Sequence, residues 1–148
     1  MKVRIKKLNE NAVVPSKKHE RDFCYDVVAT SREEIAPGVY KYGIGLAFEI
    51  IRDERFRPYV TFSIDLRPRS SVWKTGLVLA NCEGTVDENY RGELCAIFYH
   101  VLPELPIYEV GDRIGQIKLG ATEPMDFEVV DELSDTDRGD GGFGSTGK

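Results

Sequence analysis

Apolar and polar residues alternate along much of this chain. Val60, Phe62, Ile64 and Leu66 fall on one side of an extended segment, and Tyr59, Thr61, Ser63 and Asp65 on the other. That period of two is the signature of a half-buried strand. Residues 39–51, 78–81, 93–102 and 114–119 are rich in aromatic and β-branched side chains and are predicted as strands as well. Pro15, Pro37-Gly38, Pro103, Pro106 and Gly111-Asp112 punctuate them at short intervals. No long segment holds a helical period, and 70–76 has room for only a turn or two of helix. Many short strands between such turns predict an all-β domain: a sandwich, a jelly roll or a barrel.

Two segments break the pattern. Arg52-Asp53-Glu54-Arg55-Phe56-Arg57-Pro58 is a charged interruption between strands, read as an exposed hairpin loop. After Leu133 the chain turns polar and then glycine-rich, with Gly139, Gly141, Gly142, Gly144 and Gly147 making up half of the last ten residues. Such a composition cannot bury a core. The chain therefore divides into a β domain, 1–133, and an arm, 134–148, expected to be mobile until something orders it.

Length adds only that 148 residues suit one domain. A net charge of −5 argues against a general nucleic-acid binder, whose surface carries a basic face. No apolar run is long enough to span a bilayer. The start, Met1-Lys2-Val3-Arg4-Ile5-Lys6-Lys7, alternates charge with apolar residues and lacks the apolar stretch of a signal peptide. Cys24, Cys82 and Cys95 are odd in number and widely spaced, so neither structural zinc nor a disulfide framework is expected. All three have apolar neighbours and are read as small core residues. The cytoplasm is the expected compartment. His19 and His100, the only histidines, lie beside no plausible nucleophile.

The arm carries Gly142-Phe-Gly-Ser-Thr-Gly-Lys148, the first positions of a P-loop, but no strand feeds it and no helix follows. Its physics survives that failure. Glycines let successive backbone N–H groups close around phosphate oxygens, and Ser145 and Thr146 add hydroxyl donors. Arg138 suits phosphate, and Phe143 can stack on a base.

Four further segments precede it in order: Asp22-Phe-Cys-Tyr-Asp-Val-Val-Ala29, Arg67-Pro-Arg-Ser-Ser71, Glu83-Gly-Thr-Val-Asp-Glu-Asn-Tyr-Arg-Gly-Glu93 and Val110-Gly-Asp-Arg-Ile-Gly-Gln116. Together with Asp137-Arg-Gly-Asp-Gly-Gly-Phe-Gly-Ser-Thr-Gly147 they resemble the five ordered motifs of the trimeric dUTP pyrophosphatase (dUTPase) family. The resemblance runs from about Asp22 to the C-terminus. It implies a jelly-roll-like distorted β-barrel with little helix, a homotrimer with active sites at subunit boundaries, and Mg²⁺-dependent hydrolysis of dUTP to dUMP and pyrophosphate. Removing dUTP keeps uracil out of DNA, and dUMP can feed thymidylate synthesis. No nucleic-acid or membrane partner is implied.

Residue by residue, the resemblance makes Asp87 the base that holds the attacking water. Asp26 is implied to help position the metal-bound triphosphate through water. Arg69, Ser70, Ser71 and Gln116 match phosphate contacts. Asn81, Gly84, Val86 and the hairpin they share match the segment whose backbone reads uracil. Tyr90 matches the ring that packs under deoxyribose and leaves no space for a 2′-hydroxyl. Arg138, Phe143, Gly144, Ser145 and Thr146 match the closing arm. Ordinary readings exist as well: Asp26 and Asp87 as turn residues, Arg69, Ser70 and Ser71 as a short helix with a serine N-cap, Tyr90 as a half-buried strand residue, Gln116 as a sheet-edge residue. The chain departs from the pattern at Cys24, where glycine is usual, at Gly115, where alanine is commoner, and in the 52–58 insertion.

Two alternatives stand beside this reading. dCTP deaminase shares the fold, but its catalytic glutamate position holds Ile97 here, in Ala96-Ile97-Phe98-Tyr99. A dUTP-sensing regulator acting through a protein partner would use the 52–58 loop as its surface.

Overall fold

A computed structural model describes residues 1–52 and 58–142. In chain order its elements are β1 (Lys2–Lys7), β2 (Tyr25–Val28), β3 (Ser31–Ala36), β4 (Val39–Gly43), β5 (Leu46–Ile51), β6 (Thr61–Arg67), a 3₁₀ helix (Ser70–Lys74), β7 (Leu77–Leu79), β8 (Gly84–Asp87), β9 (Cys95–His100) and β10 (Arg113–Thr122). Every pairing is antiparallel. The sheets run β1-β5, β2-β10-β6-β8 and β3-β4-β9-β7. This is the all-β, jelly-roll-like architecture expected, although the sheets do not join edge to edge into a closed barrel. No helix among the described residues is long and apolar enough to cross a membrane.

The alternation read along 59–66 is realised in β6, where Phe62, Ile64 and Leu66 are buried. The run 39–51 is not one strand but two, in different sheets. Gly45 breaks it by adopting φ +68°, a left-handed conformation open to glycine at little cost. A side chain there would also meet Asn9 Nδ2 at 2.5 Å. The charged alternation at the N-terminus is a strand too: β1 pairs with β5 and places Arg4 opposite Glu49, their side chains 3.1 Å apart.

Between the sheets, Tyr42, Phe98 and Tyr108 meet edge-on, with ring centroids 5.7 to 6.3 Å apart. Each such pair adds about 0.5–1.5 kcal/mol beyond its burial. Val27, Leu46, Leu94 and Ile114 complete the core around them. The cysteines do not join it. Cys82 is exposed at a tight corner with φ 57°, Cys24 and Cys95 are half-buried, and all three are free thiols. Apolar sequence neighbours mislead here because Cys24 and Cys82 lie in bends outside the strands, and on β9 alternate positions face opposite ways, so Cys95 does not share its neighbours' burial.

Among the described residues one charged side chain is buried. Asp65, 7% exposed on β6, is paired with Lys118 of β10 and accepts a hydrogen bond from Ser63 Oγ at 2.7 Å. Burial pushes its carboxyl up, but Lys118 and Ser63 pull it down further, and the net position is below the ordinary range. The stabilisation from a depressed carboxylate is present above its unfolded pKa and is lost as pH falls through the folded one. Removing one partner of a buried pair costs about 3–5 kcal/mol, and the partial exposure of both side chains moves Lys118→Met toward about 2 kcal/mol. Urea unfolding at fixed protein concentration checks this. The deficit should be full at pH 7 and should shrink as pH falls below the carboxylate range (~4).

Candidate active site

The first group of candidate residues is built by the hairpin around β8. Register against β6 sets Gly84 opposite Leu66 and Asp87 opposite Ser63. The strand then ends in a turn closed by Tyr90 N–H donating to Asp87 C=O at 3.0 Å. Arg91 Nη1 donates to the carbonyls of Glu88 (2.7 Å) and Tyr90 (3.0 Å), which stiffens that turn. Asn81, Gly84, Val86, Asp87 and Tyr90 all line one cavity of about 330 Å³. Tyr90 is 48% exposed, and its hydroxyl donates to Glu93 C=O at 3.3 Å. Gly92 lies against the Tyr90 ring, which a side chain at that position would displace. The cavity thus has a half-exposed ring, a carboxylate and backbone polar groups on its walls.

The second group gathers at Asp26 on β2, opposite Gln116 on β10. Asp26 Oδ1 accepts from Arg69 Nε and Gln116 Nε2, both at 3.2 Å, and Oδ2 accepts from Arg113 Nη1 at 3.0 Å. Arg69 Nη1 also donates to Ser71 Oγ at 3.3 Å. One carboxylate therefore holds two guanidinium groups and an amide in a single polar cluster, an arrangement suited to phosphate oxygens. The serine N-cap expected here does not form: the cap is Arg69, without a side-chain hydrogen bond, and Ser70 is the first residue of the helix.

The structure does not bring the two groups into one pocket within this chain. Asp26 and Asp87 stand on the outer strands of the β2-β10-β6-β8 sheet, four register positions apart. Strand spacing and rise per residue put them roughly 20 Å from each other. Among the described residues, the Arg138 side chain bonds only locally, to Gly141 C=O at 2.9 Å. Phe143, Gly144, Ser145 and Thr146 lie outside the described residues, as does the centre of the 52–58 insertion.

Several contributors were not singled out from the sequence. Arg113 stands inside a quoted motif, and its position three residues before the candidate phosphate ligand Gln116 is the available signal. Lys41, Glu93 and Cys95 also line the 330 Å³ cavity. Glu93 closes a quoted motif, but nothing local marks Lys41 or Cys95, because β4 meets β9 only through the sheet. Burial raises the Cys95 thiol above its ordinary range, with Glu93 adding to the effect, so it is a poor nucleophile at neutral pH.

Known proteins fit this geometry. The dUTPase family profile matches residues 10–147. The deoxyuridine 5′-triphosphate nucleotidohydrolase of Nautilia profundicola is 37% identical over 150 positions, covering all of both chains. That of Corynebacterium glutamicum is 38% identical, covering 99% of this chain and 95% of the relative. Among solved structures, the dUTPase of Staphylococcus bacteriophage 80alpha with dUpNHpp superposes with a TM-score of 0.73 over 99% of each chain, at 22% identity. A dUTPase mutant from phage phi11 of S. aureus, described for its coordination of a structural Mg(II) ion, gives 0.69 over 91% of this chain and all of its own, at 19% identity. With a family match across nearly its whole length and relatives above one-third identity end to end, this chain belongs to the dUTPase family.

Proposed function

We infer that this chain hydrolyses dUTP to dUMP and pyrophosphate, with water attacking the α-phosphorus. The observation that carries the reading is the shared cavity: Asp87 opens into the same space as Tyr90, Asn81, Gly84 and Val86. A base must lie within hydrogen-bond reach of its water while the substrate is held alongside. Placing deoxyribose against the Tyr90 ring and uracil against the 81–87 backbone leaves Asp87 facing the phosphate end. Backbone donors and acceptors can copy a base-pairing edge, and close packing rejects the thymine methyl. Deamination of dCTP is not favoured, because the position for its glutamate is Ile97, on the strand beside this cavity.

Asp87 orients the water and takes its proton. Arg69, Arg113, Gln116 and the Ser70-Ser71 pair receive the triphosphate, and Arg138 with the 143–146 segment closes over it. Among the described residues no group of three metal-binding side chains occurs. Asp26, already paired with two guanidiniums and an amide, does not fit a protein-lined cage; Mg²⁺ would be held mainly by the triphosphate, with Asp26 helping to position it through water. When bound, Mg²⁺ offsets phosphate charge and polarises the reacting phosphoryl group.

The ~20 Å between the two groups, estimated from sheet dimensions, favours a homotrimer in which one subunit's cluster meets another's cavity. The course of the chain after β10 points the same way. Met125, Phe127 and Val129 alternate with Asp126 and Glu128 as in a half-buried strand, yet they are 75%, 80% and 99% exposed and belong to no sheet. They read as a segment leaving one subunit to dock on the next, followed by the 134–148 arm. We place the enzyme in the cytoplasm, with dUTP and its own copies as partners.

The test is pyrophosphate release from each dNTP and UTP, with Mg²⁺ or with EDTA. dUTP should be preferred over UTP and dTTP by at least ~10²-fold in kcat/KM, since one missing or clashing group at a fitted site is worth about that much. EDTA should abolish turnover. Equal kcat/KM for dUTP and UTP would remove Tyr90 as the sugar gate and this function with it.

A further inference from the structure

The charged insertion is tied at its base to the residue that follows Asp87. Arg52, the first residue of the insertion, makes a two-pronged ion pair with Glu88: Nε to Oε1 at 2.7 Å and Nη2 to Oε2 at 2.9 Å. Its Nη1 donates to Pro58 C=O at 2.9 Å, so one guanidinium also bridges the two ends of the insertion. Glu88 Oε2 further accepts Phe62 N–H at 3.1 Å. Phe62 is the residue next to Ser63, the register partner of Asp87. The Glu88 side chain therefore continues the β6–β8 ladder one step past its last backbone pair.

Two anchors thus meet at Asp87: the ladder on its N-terminal side and the Arg52–Glu88–Phe62 clamp on its C-terminal side. Arg91 holds the carbonyl of Glu88 from the remaining direction. Asp87 and Glu88 also border a second open cavity of about 590 Å³ together with Arg52 and Arg91. The clamp lies on that side of the turn and the proposed nucleoside site on the other. The pair is firm: the Glu88 side chain is 18% exposed, and the Arg52 guanidinium holds its carboxyl below the usual range against the opposing effect of burial, with the Phe62 N–H adding a lesser pull.

We propose that Arg52 and Glu88 are a positioning pair for the base, fixing the Asp87 turn and linking Arg52 and Pro58, the two ends of the 52–58 insertion, to catalysis. The proposal rests on the reading of Asp87 as the base. Neither residue needs to touch the nucleotide. The effect belongs in kcat, because a base displaced by a fraction of an ångström loses its water while the nucleoside walls stay as they were.

The test uses full-length protein, Mg²⁺ and dUTP. Arg52→Met should lower kcat about tenfold with KM within about twofold. Its unfolding midpoint should stay within a few degrees, since an ion pair with one partner in solvent adds little to stability. Arg52→Lys, which keeps the charge but not the fork, should recover part of kcat. Glu88→Gln should fall to a similar kcat, and Arg52→Met with Glu88→Gln should be no worse than either alone, because both remove one contact. Wild-type kcat in Arg52→Met overturns the proposal. So does a parallel loss of kcat, KM and unfolding midpoint that lysine does not restore. Asp87→Asn separates this failure from that of the underlying reading. If Asp87→Asn turns over normally, Asp87 is not the base and the clamp has nothing to position. If it is inactive while Arg52→Met is normal, only the clamp falls.

Discussion

Asp87→Asn is expected to lower kcat for dUTP by about 10²–10⁴-fold, the usual contribution of a general base, while nucleotide affinity largely survives. The substitution keeps the shape and one acceptor oxygen but removes the basic carboxylate. Asp87 is exposed at the end of β8, and among the described residues its side chain carries no ion pair or hydrogen bond. The backbone contact that shapes the turn, Tyr90 N–H to Asp87 C=O, is untouched by the change. Loss of turnover should therefore appear without loss of fold. Steady-state kinetics beside a binding titration with a non-hydrolysable dUTP analogue separates the two quantities. Near-normal kcat would take the proton-accepting role away from Asp87.

Mixing two inactive chains is expected to restore hydrolysis. One chain carries Asp87→Asn and keeps its arm; the other ends after Leu133 and keeps Asp87. Alone, the first lacks the base and the second lacks the donors and aromatic ring that close the site. The ~20 Å between Asp26 and Asp87 along their sheet, and the exposed run Met125–Phe127–Val129 before the arm, argue that cluster, base and arm are contributed by different subunits. In randomly mixed trimers with equal inputs, about a quarter of such shared sites combine an intact base with an intact arm, as cyclic assembly dictates. Activity near that share of wild type, in trimers verified by differential tags, is the expected result. If one chain supplied both parts, neither parent could donate a complete set. Verified mixed trimers without dUTP hydrolysis would therefore reject shared sites.

Much of this was legible in the residues, for physical reasons. β6 announced itself because one of its faces is core and the other is not. Asn81, Gly84, Val86, Asp87 and Tyr90 could be grouped in advance because a hairpin keeps neighbours in sequence close in space, and they do share a cavity. Contacts that join distant segments left no local trace. Lys41 reaches the cavity wall through strand pairing, and Arg52 meets Glu88 across 36 positions. The break at Gly45 was masked by a continuous apolar run, since periodicity reports burial and not backbone direction. β1 was masked by its charges: only Val3 and Ile5 face the body from a strand at the edge of a two-stranded sheet.

Strand order also governs when the enzyme exists. β10 lies between β2 and β6, and its Gln116 meets Asp26 across 90 positions of chain. On the ribosome, which adds residues in order at about 5–20 per second, the first hundred residues can pair β3 with β4, β4 with β9 and β6 with β8. The facing edges of β2 and β6 stay open until the last strand emerges between them. Sequence-distant pairing of this kind is slow because loop closure precedes any contact it gains. The Asp26–Arg69–Arg113–Gln116 cluster is accordingly completed only when β10 has seated between β2 and β6, so on the proposed reading capture of triphosphate must wait for that sheet to seal.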